Sequence, residues 1–187
     1  MTRIIIRGVA ERNEWVEYLT ERIPDAEWSM DDKGWAFGNF IRAFRMAGND
    51  PCVHMEDDVI LCSSFRDILE REIDERPASI IQFFCMRDAD LTVGSRWDNT
   101  FSMNQCFYIP PNMGPAMLRC IPQWLAKHPE HPNGYDLFMR DWMRSVKLKY
   151  WIHCPSIVQH RAGDSMISPR ARNRQSKSFQ EAYGNGC

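Results

Sequence analysis

The chain lacks any stretch approaching the roughly 18 uncharged apolar residues that a bilayer-spanning helix needs, so no membrane span is expected from its 187 residues. It also lacks the phosphate cradles of common nucleotide enzymes. There is no GxxxxGK[ST] loop and no GxGxxG, which removes kinase-type and dinucleotide-binding readings. No Gly-x-Ser-x-Gly elbow is present either, so the nucleophile-elbow hydrolases are set aside. Charge of one sign is missing too: 23 basic residues against 25 acidic ones exclude a molecule that binds nucleic acid through its overall field. The seven cysteines contain no CxxC pair. His54, Cys52, His153, Cys154 and His160 therefore lack the paired short spacing of a structural zinc site. Most cysteines sit inside apolar runs, where a reduced thiol behaves as a small hydrophobe. With an N-terminal apolar run (Ile4-Ile5-Ile6) too short for a signal peptide, a cytoplasmic location is expected.

What is present is one core's worth of apolar side chain. A content of 44% hydrophobic residues over 187 suits one domain and is too little for two. Arg3 to Val9 is β-branched and reads as a buried strand, and Arg12 to Arg22 carries Trp15, Tyr18 and Leu19 at helical spacing. A second strand is expected over Ala26 to Met30. Phe37, Phe40, Ile41, Phe44 and Ala47 then recur at three and four, leaving Asn39, Arg42 and Arg45 on other faces, until Gly48-Asn49-Asp50-Pro51 stops the helix. Cys52 to Met55 reads as a central strand, and Phe65, Ile68, Leu69 and Ile73 mark a helix that Ser63 or Ser64 is placed to cap. Ala78 to Cys85 is the next strand. The alternation predicts an α/β fold with a mostly parallel sheet. Further on, Cys106 to Ile109 and Lys149 to His153 read as strands, while the Met113 to Trp124 stripe and Leu137 to Val146 read as helices. No internal repeat or linker interrupts residues 1–167. Residues 168–187 form a basic, polar tail in which Arg170, Arg172, Arg174 and Lys177 face only Glu181, and it is expected to be solvated.

The chemistry concentrates in Glu56-Asp57-Asp58, directly after the central strand. Adjacent carboxylates repel by about 1 kcal/mol per pair at 4 Å even in water, so a cation is expected beside them. In open α/β sheets, ligands bind in the crevice beyond the carboxyl ends of the strands. Hard oxygen donors suit Mg²⁺ or Mn²⁺, which one or two carboxylates hold together with substrate phosphates. A nucleotide diphosphate would complete such a shell. The bland alternative is an acidic turn that favours the N-terminus of the following helix.

The run His54-Met55-Glu56-Asp57-Asp58-Val59-Ile60-Leu61 resembles the acidic motif of glycosyltransferases with the GT-A fold, closest to glycosyltransferase family 25 from lipopolysaccharide biosynthesis. Pro155-Ser156-Ile157-Val158-Gln159-His160 resembles that family's closing segment, and Gly34 to Ala47 lies where the family has a glycine-led helix. The resemblance spans roughly residues 3 to 165, in a compact form like phage or bacterial enzymes. It implies a GT-A-like, Rossmann-like mixed sheet and a metal-dependent transfer of a sugar from a nucleotide diphosphate donor, with a UDP-sugar expected, to an acceptor hydroxyl. It implies Asp58 as a direct metal ligand, Glu56 or Asp57 toward the ribose or the metal through water, and His160 as a further metal ligand. Arg161, Gly163 and Ser165 would contact diphosphate. Arg7 and Arg12 lie where phosphates or base belong in that fold, and Asp31 or Asp32 would reach the nucleobase or ribose.

Inverting transfer, toward which the resemblance leans, needs a general base for the acceptor hydroxyl, and Asp136 and Asp141 are the candidates. Asp136 also suits the N-cap of the last helix. A saccharide, a protein or a hydroxymethylated DNA base is each an expected acceptor class. The last would give the tail's basic residues phosphates to contact. Two other classes compete: a metal-dependent phosphodiesterase or nuclease, since clustered carboxylates also bind two ions for in-line displacement, and a non-catalytic nucleotide- or partner-binding protein.

Overall fold

The computed structural model describes residues 1–89, 94–161 and 174–182. The β-branched run at the N-terminus forms β1 (Arg3–Val9). A 3-10 turn (Ala10–Arg12) leads into α1 (Asn13–Arg22), followed by β2 (Glu27–Asp31), α2 (Ala36–Ala47) and β3 (Cys52–Glu56). Gly48, at φ +61°, ends α2 in a conformation that a Cβ disfavours. The chain continues as β4 (Val59–Leu61), α3 (Phe65–Glu75), β5 (Ile81–Gln82) and β6 (Arg96–Asp98), then β7 (Cys106–Ile109), α4 (Met113–Lys127), α5 (Tyr135–Ser145), β8 (Tyr150–Ile152) and β9 (Val158–His160).

These elements make a single α/β domain around a seven-stranded sheet of order β2-β1-β3-β7-β5-β8-β6. β1 pairs in parallel with both β2 and β3, and β5 with β8. β7 runs against β3 and β5, and β6 against β8, so five of the seven strands share one direction. β4 and β9 form a separate two-stranded antiparallel ribbon.

The period of two along each strand divides the core. Ile4 and Ile6 of β1 and Val53 and Met55 of β3 face Leu19 of α1 and Phe65, Leu69 and Ile73 of α3. Ile5 turns to the other face, against Ala43 and Ala47 of α2. There α2, α4 and α5 share Phe37, Phe40, Phe44, Met117, Trp124 and Phe138. Truncating any of these phenylalanines to Ala would cost about 3–5 kcal/mol.

Several expectations need correction. Val59 to Leu61 is a strand between the acidic triplet and α3, because its partner β9 arrives from a hundred residues away. Ser64 precedes α3 without a side-chain cap bond. Of the strand expected over Ala78 to Cys85, only Ile81–Gln82 joins the ladder. The N-cap of α5 is Gly134, so Asp136 lies inside the first turn. Asn39, expected off the buried face, is buried: its Oδ1 accepts from Ser29 Oγ (2.6 Å) and its Nδ2 donates to the Gly8 carbonyl (3.3 Å). Residues 174–182 of the tail bond to the body, Ser63 N donating to the Glu181 carbonyl at 2.9 Å. No helix among the described residues is long and apolar enough to cross a membrane.

Candidate active site

A cleft of about 510 Å³ opens where β1, β2 and β3 end, lined by Gly8 and Val9 from β1, Asp31 from β2 and Glu56 from β3. Its lining continues through Arg12, Asp57, Asp58, Asn104 and Gln105 to Asp136, His160 and Arg174. The volume is that of an ordinary small-molecule site.

The three triplet carboxylates are differently engaged. Glu56 closes β3, its backbone N–H donating to the Gln105 carbonyl at 2.9 Å. Its Oε1 accepts from the Tyr135 hydroxyl at 2.7 Å and lies 3.6 Å from Arg7. Burial and then the Glu56 charge hold the Tyr135 phenol well above its ordinary pKa, so it stays a donor.

Asp57 is 2% exposed, and the protein uses both of its oxygens. Oδ2 accepts from Val9 N at 2.9 Å and Oδ1 from Arg12 Nη1 at 2.6 Å. Burial raises its pKa to about 6, against the pull of Arg12 and with help from the neighbouring Asp58 charge.

Asp58 sits where the β4–β9 ribbon begins. The ribbon pairs Val59 with His160, and Arg161 N donates to the Asp58 carbonyl at 2.8 Å. The side chains meet accordingly: His160 Nε2 lies 3.3 Å from Asp58 Oδ2, which also accepts from Arg12 Nη1 at 2.9 Å. Asp58 Oδ1 is buried without a hydrogen-bond partner among the described residues. Burial opposes ionisation of the pair, but the hydrogen bond and charge between them prevail, lowering the Asp58 pKa and raising that of His160. Two short motifs distant in sequence thus form one wall.

Arg12 bridges Asp57 and Asp58 from the first turn after β1, its guanidinium 4.7 Å above the Trp15 ring. Burial alone would lower its pKa, but Asp58 and Asp57 outweigh this and raise it. Arg7 is buried, donates from Nη2 to the Asn104 carbonyl at 2.7 Å and lies over Tyr135. Asp31 accepts at Oδ1 from Lys33 N and Trp35 N (3.1 and 3.2 Å), fixing the turn before α2. Exposed Asp32 pairs with Arg42 at 3.2 Å on the rim.

The two base candidates separate. Asp136 lines the cleft, its Oδ1 accepting from Leu137 N at 2.9 Å. Asp141 does not line it. It accepts from Trp124 Nε1 at 3.1 Å and pairs with Arg140 at 2.9 Å, which is a contact between α4 and α5. Arg161 is absent from the lining as well, its guanidinium lying over Tyr18 and Trp15. Gly163, Ser165, Arg170 and Arg172 lie outside the described residues.

Tyr135, Asn39, Asn104, Gln105 and Arg174 line the cleft without having been picked out by sequence as site residues. Arg174 owes its place to Gln159 of β9, whose Nε2 donates to the Ser176 carbonyl (2.9 Å) while Ser176 N donates back to Oε1 (2.8 Å). The amides carry no local pattern that would have singled them out.

No protein-family model matches the chain, and no curated protein matches it significantly. Among solved structures, the crystal structure of A197 from STIV is similar, with 12% identity and a TM-score of 0.47, covering 95% of this chain and 96% of that one. A likeness of that size says nothing about chemistry.

Proposed function

We propose that the chain is a metal-dependent glycosyltransferase that moves a sugar from a nucleoside diphosphate donor, with UDP-sugars the first choice, to an acceptor hydroxyl. The observation that carries the reading is the junction of Asp58 with His160 across the β4–β9 ribbon, inside a cleft at the carboxyl ends of parallel strands. The two motifs that resemble glycosyltransferase family 25 meet at that junction.

The donor set fits a divalent ion. Asp58 Oδ1 is a buried, unpartnered carboxylate oxygen on a side chain whose Oδ2 lies 3.3 Å from the His160 imidazole, and oxygen with imidazole suits Mn²⁺. Among the described residues no cluster of three or more His, Cys, Asp or Glu is arranged to hold a metal alone. Asp58 and His160 would therefore hold the ion with diphosphate oxygens and water completing its shell, the usual arrangement for Mg²⁺. When bound, the ion neutralises charge growing on the departing diphosphate. Arg12 orients Asp58 through Oδ2, leaving Oδ1 without a protein partner among the described residues. Asp136, on the α5 side, takes the proton from the acceptor hydroxyl.

A thermal-shift screen of UDP- and GDP-sugars with and without Mn²⁺ tests the reading, followed by turnover with saccharide, protein and hydroxymethylated-DNA acceptors. Donor-dependent stabilisation that needs Mn²⁺ and disappears in Asp58→Asn supports it. Turnover that survives both Asp58→Ala and His160→Ala removes it. Phosphodiester cleavage without a sugar donor would establish the nuclease reading in its place.

A further inference from the structure

Residues 103–105 of the loop entering β7 are held by hydrogen bonds to their backbone carbonyls. Gln82 Nε2 donates to the Met103 carbonyl at 2.8 Å, Arg7 to the Asn104 carbonyl at 2.7 Å, and Glu56 N to the Gln105 carbonyl at 2.9 Å. Met103 takes φ +68°, a conformation that a non-glycine residue adopts at a cost. Asn104 and Gln105, 2% and 1% exposed, both line the cleft. Asn104 Nδ2 and Oδ1, Gln105 Oε1 and the adjacent Arg7 Nε are buried without a hydrogen-bond partner among the described residues. Folding alone disfavours such a concentration, because each buried unpaired polar group is destabilising.

We propose that Asn104 and Gln105 form a subsite that reads adjacent free hydroxyls of the transferred sugar. The inference rests on the glycosyltransferase reading above. A carboxamide offers a donor and an acceptor side by side, which matches two neighbouring hydroxyls, one accepting from Nδ2 and the other donating to Oδ1. Gln105 Oε1 accepts from a further hydroxyl. Phosphate matches the subsite only in part: Arg7 Nε and Asn104 Nδ2 would donate to it, but its oxygens at neutral pH only accept and would oppose the lone pairs of Asn104 Oδ1, Gln105 Oε1 and the Glu56 carboxylate.

A nucleobase edge also pairs a donor with an acceptor, and strand order decides against it. Neighbouring strands lie about 4.8 Å apart. With Met55 opposite Cys106, Asn104 stands one strand from the acidic triplet, on the β7 side. On the other side the cleft runs across β1 to Asp31 of β2, two strands away. With the diphosphate at Asp58, the longer nucleoside occupies the two-strand arm and the compact sugar the one-strand arm.

The test measures calorimetric affinity with Mn²⁺ for UDP, GDP, UDP-glucose, UDP-galactose and GDP-mannose, in the wild type, Asn104→Leu and Asn104→Asp. The subsite predicts that the affinity a hexose adds over the free nucleoside diphosphate falls at least tenfold in Asn104→Leu, while the free diphosphate binds within twofold of wild type. Asn104→Asp, which keeps the size and loses the donor, should show the same split. The melting temperature of Asn104→Leu should stay level or rise, since the leucine removes unpaired polar atoms. A fall of several degrees would show a structural role and overturn the subsite. So would equal weakening of free and sugar-bearing diphosphates, the signature of a nucleobase contact, or a hexose increment that neither variant reduces. If no nucleoside diphosphate binds the wild type, the glycosyltransferase reading itself fails.

Discussion

Arg12→Leu puts the electrostatics of the site to a quantitative test. Arg12 Nη1 stands 2.6 Å from Asp57 and 2.9 Å from Asp58, so its loss leaves two adjacent buried carboxylates with one fewer cation. At an effective dielectric of about 20, two unit charges 4 Å apart interact by about 4 kcal/mol, and removing one partner of a buried pair costs about 3–5 kcal/mol. Asp57, already raised to about 6 by burial, relieves part of this by taking up a proton. A loss of roughly 3 kcal/mol at pH 7.5 is expected, or about 6–12 °C of melting temperature for a chain of this size. The sign with pH follows from linkage. Without Arg12 the folded-state pKa of Asp57 moves further above the unfolded value of about 3.9 and that of Asp58 climbs from its lowered position, so the folded variant holds protons more tightly than the wild type and loses stability as pH rises through its own pKa. The gap between wild type and variant must therefore widen from pH 5 to pH 8, as read by metal-free thermal and urea unfolding with exposed Arg45→Leu as the control. A gap under about 1 kcal/mol, or one equal at both pH values, would refute the argument.

Two further substitutions probe different parts of the frame. Asp98 accepts from Thr100 N and Oγ1 (both 2.6 Å), from Arg87 (3.0 Å) and from Arg96; burial opposes its charge, but these bonds hold its pKa below the ordinary range. Its contribution is present above about pH 4 and lost on acidification, so Asp98→Asn should cost about 3 kcal/mol at pH 7 and flatten the acid limb of the stability curve, checked by urea unfolding across pH. Tyr135→Phe removes the donor to Glu56 and should cost about 2 kcal/mol with the ring packing kept, seen as a lower melting temperature together with weaker donor affinity in calorimetry.

How much of this was readable from sequence follows from the range of the forces involved. β1 and α2 announce themselves because β-branched runs and a three-four phenylalanine stripe are local patterns, and the triplet's position after β3 follows from the same locality. The β4–β9 ribbon, the antiparallel insertion of β7 and the short ladder of β5 depend on partners far along the chain, to which periodicity is blind. Arg12 was expected beside the donor's phosphates or base, and its pairing with Asp57 and Asp58 was not legible because it comes from a 3-10 turn that folds it back over them. Asp141 looked like a base because it lies on the same helix as Asp136, but five residues along a helix turn it toward α4. The amides of Asn104 and Gln105 became visible only through the absence of partners, which no sequence pattern encodes.

Asp57 supplies the last argument, because its carboxylate costs folding stability when ionised. Both oxygens are occupied, yet burial raises its pKa to about 6. Relative to an unfolded value near 3.9, that is about two units, or roughly 3 kcal/mol. The sign is the reverse of Asp98: stability is full below about pH 4 and falls as pH climbs to 6, after which it is level. Asp57→Asn lacks that fall, so metal-free wild type minus variant should decline by about 3 kcal/mol between pH 4 and 7 in urea unfolding. Parallel curves would show that Asp57 is ionised without penalty and that burial does not control it. If the decline is found, a neutral residue at 57 becomes progressively less costly as pH rises. The charge is then explained by what it holds: it fixes Arg12, which bonds Asp58 Oδ2, and the end of β1 through Val9 N, and Mn²⁺ binding by Asp57→Asn should weaken although residue 57 contributes no ligand.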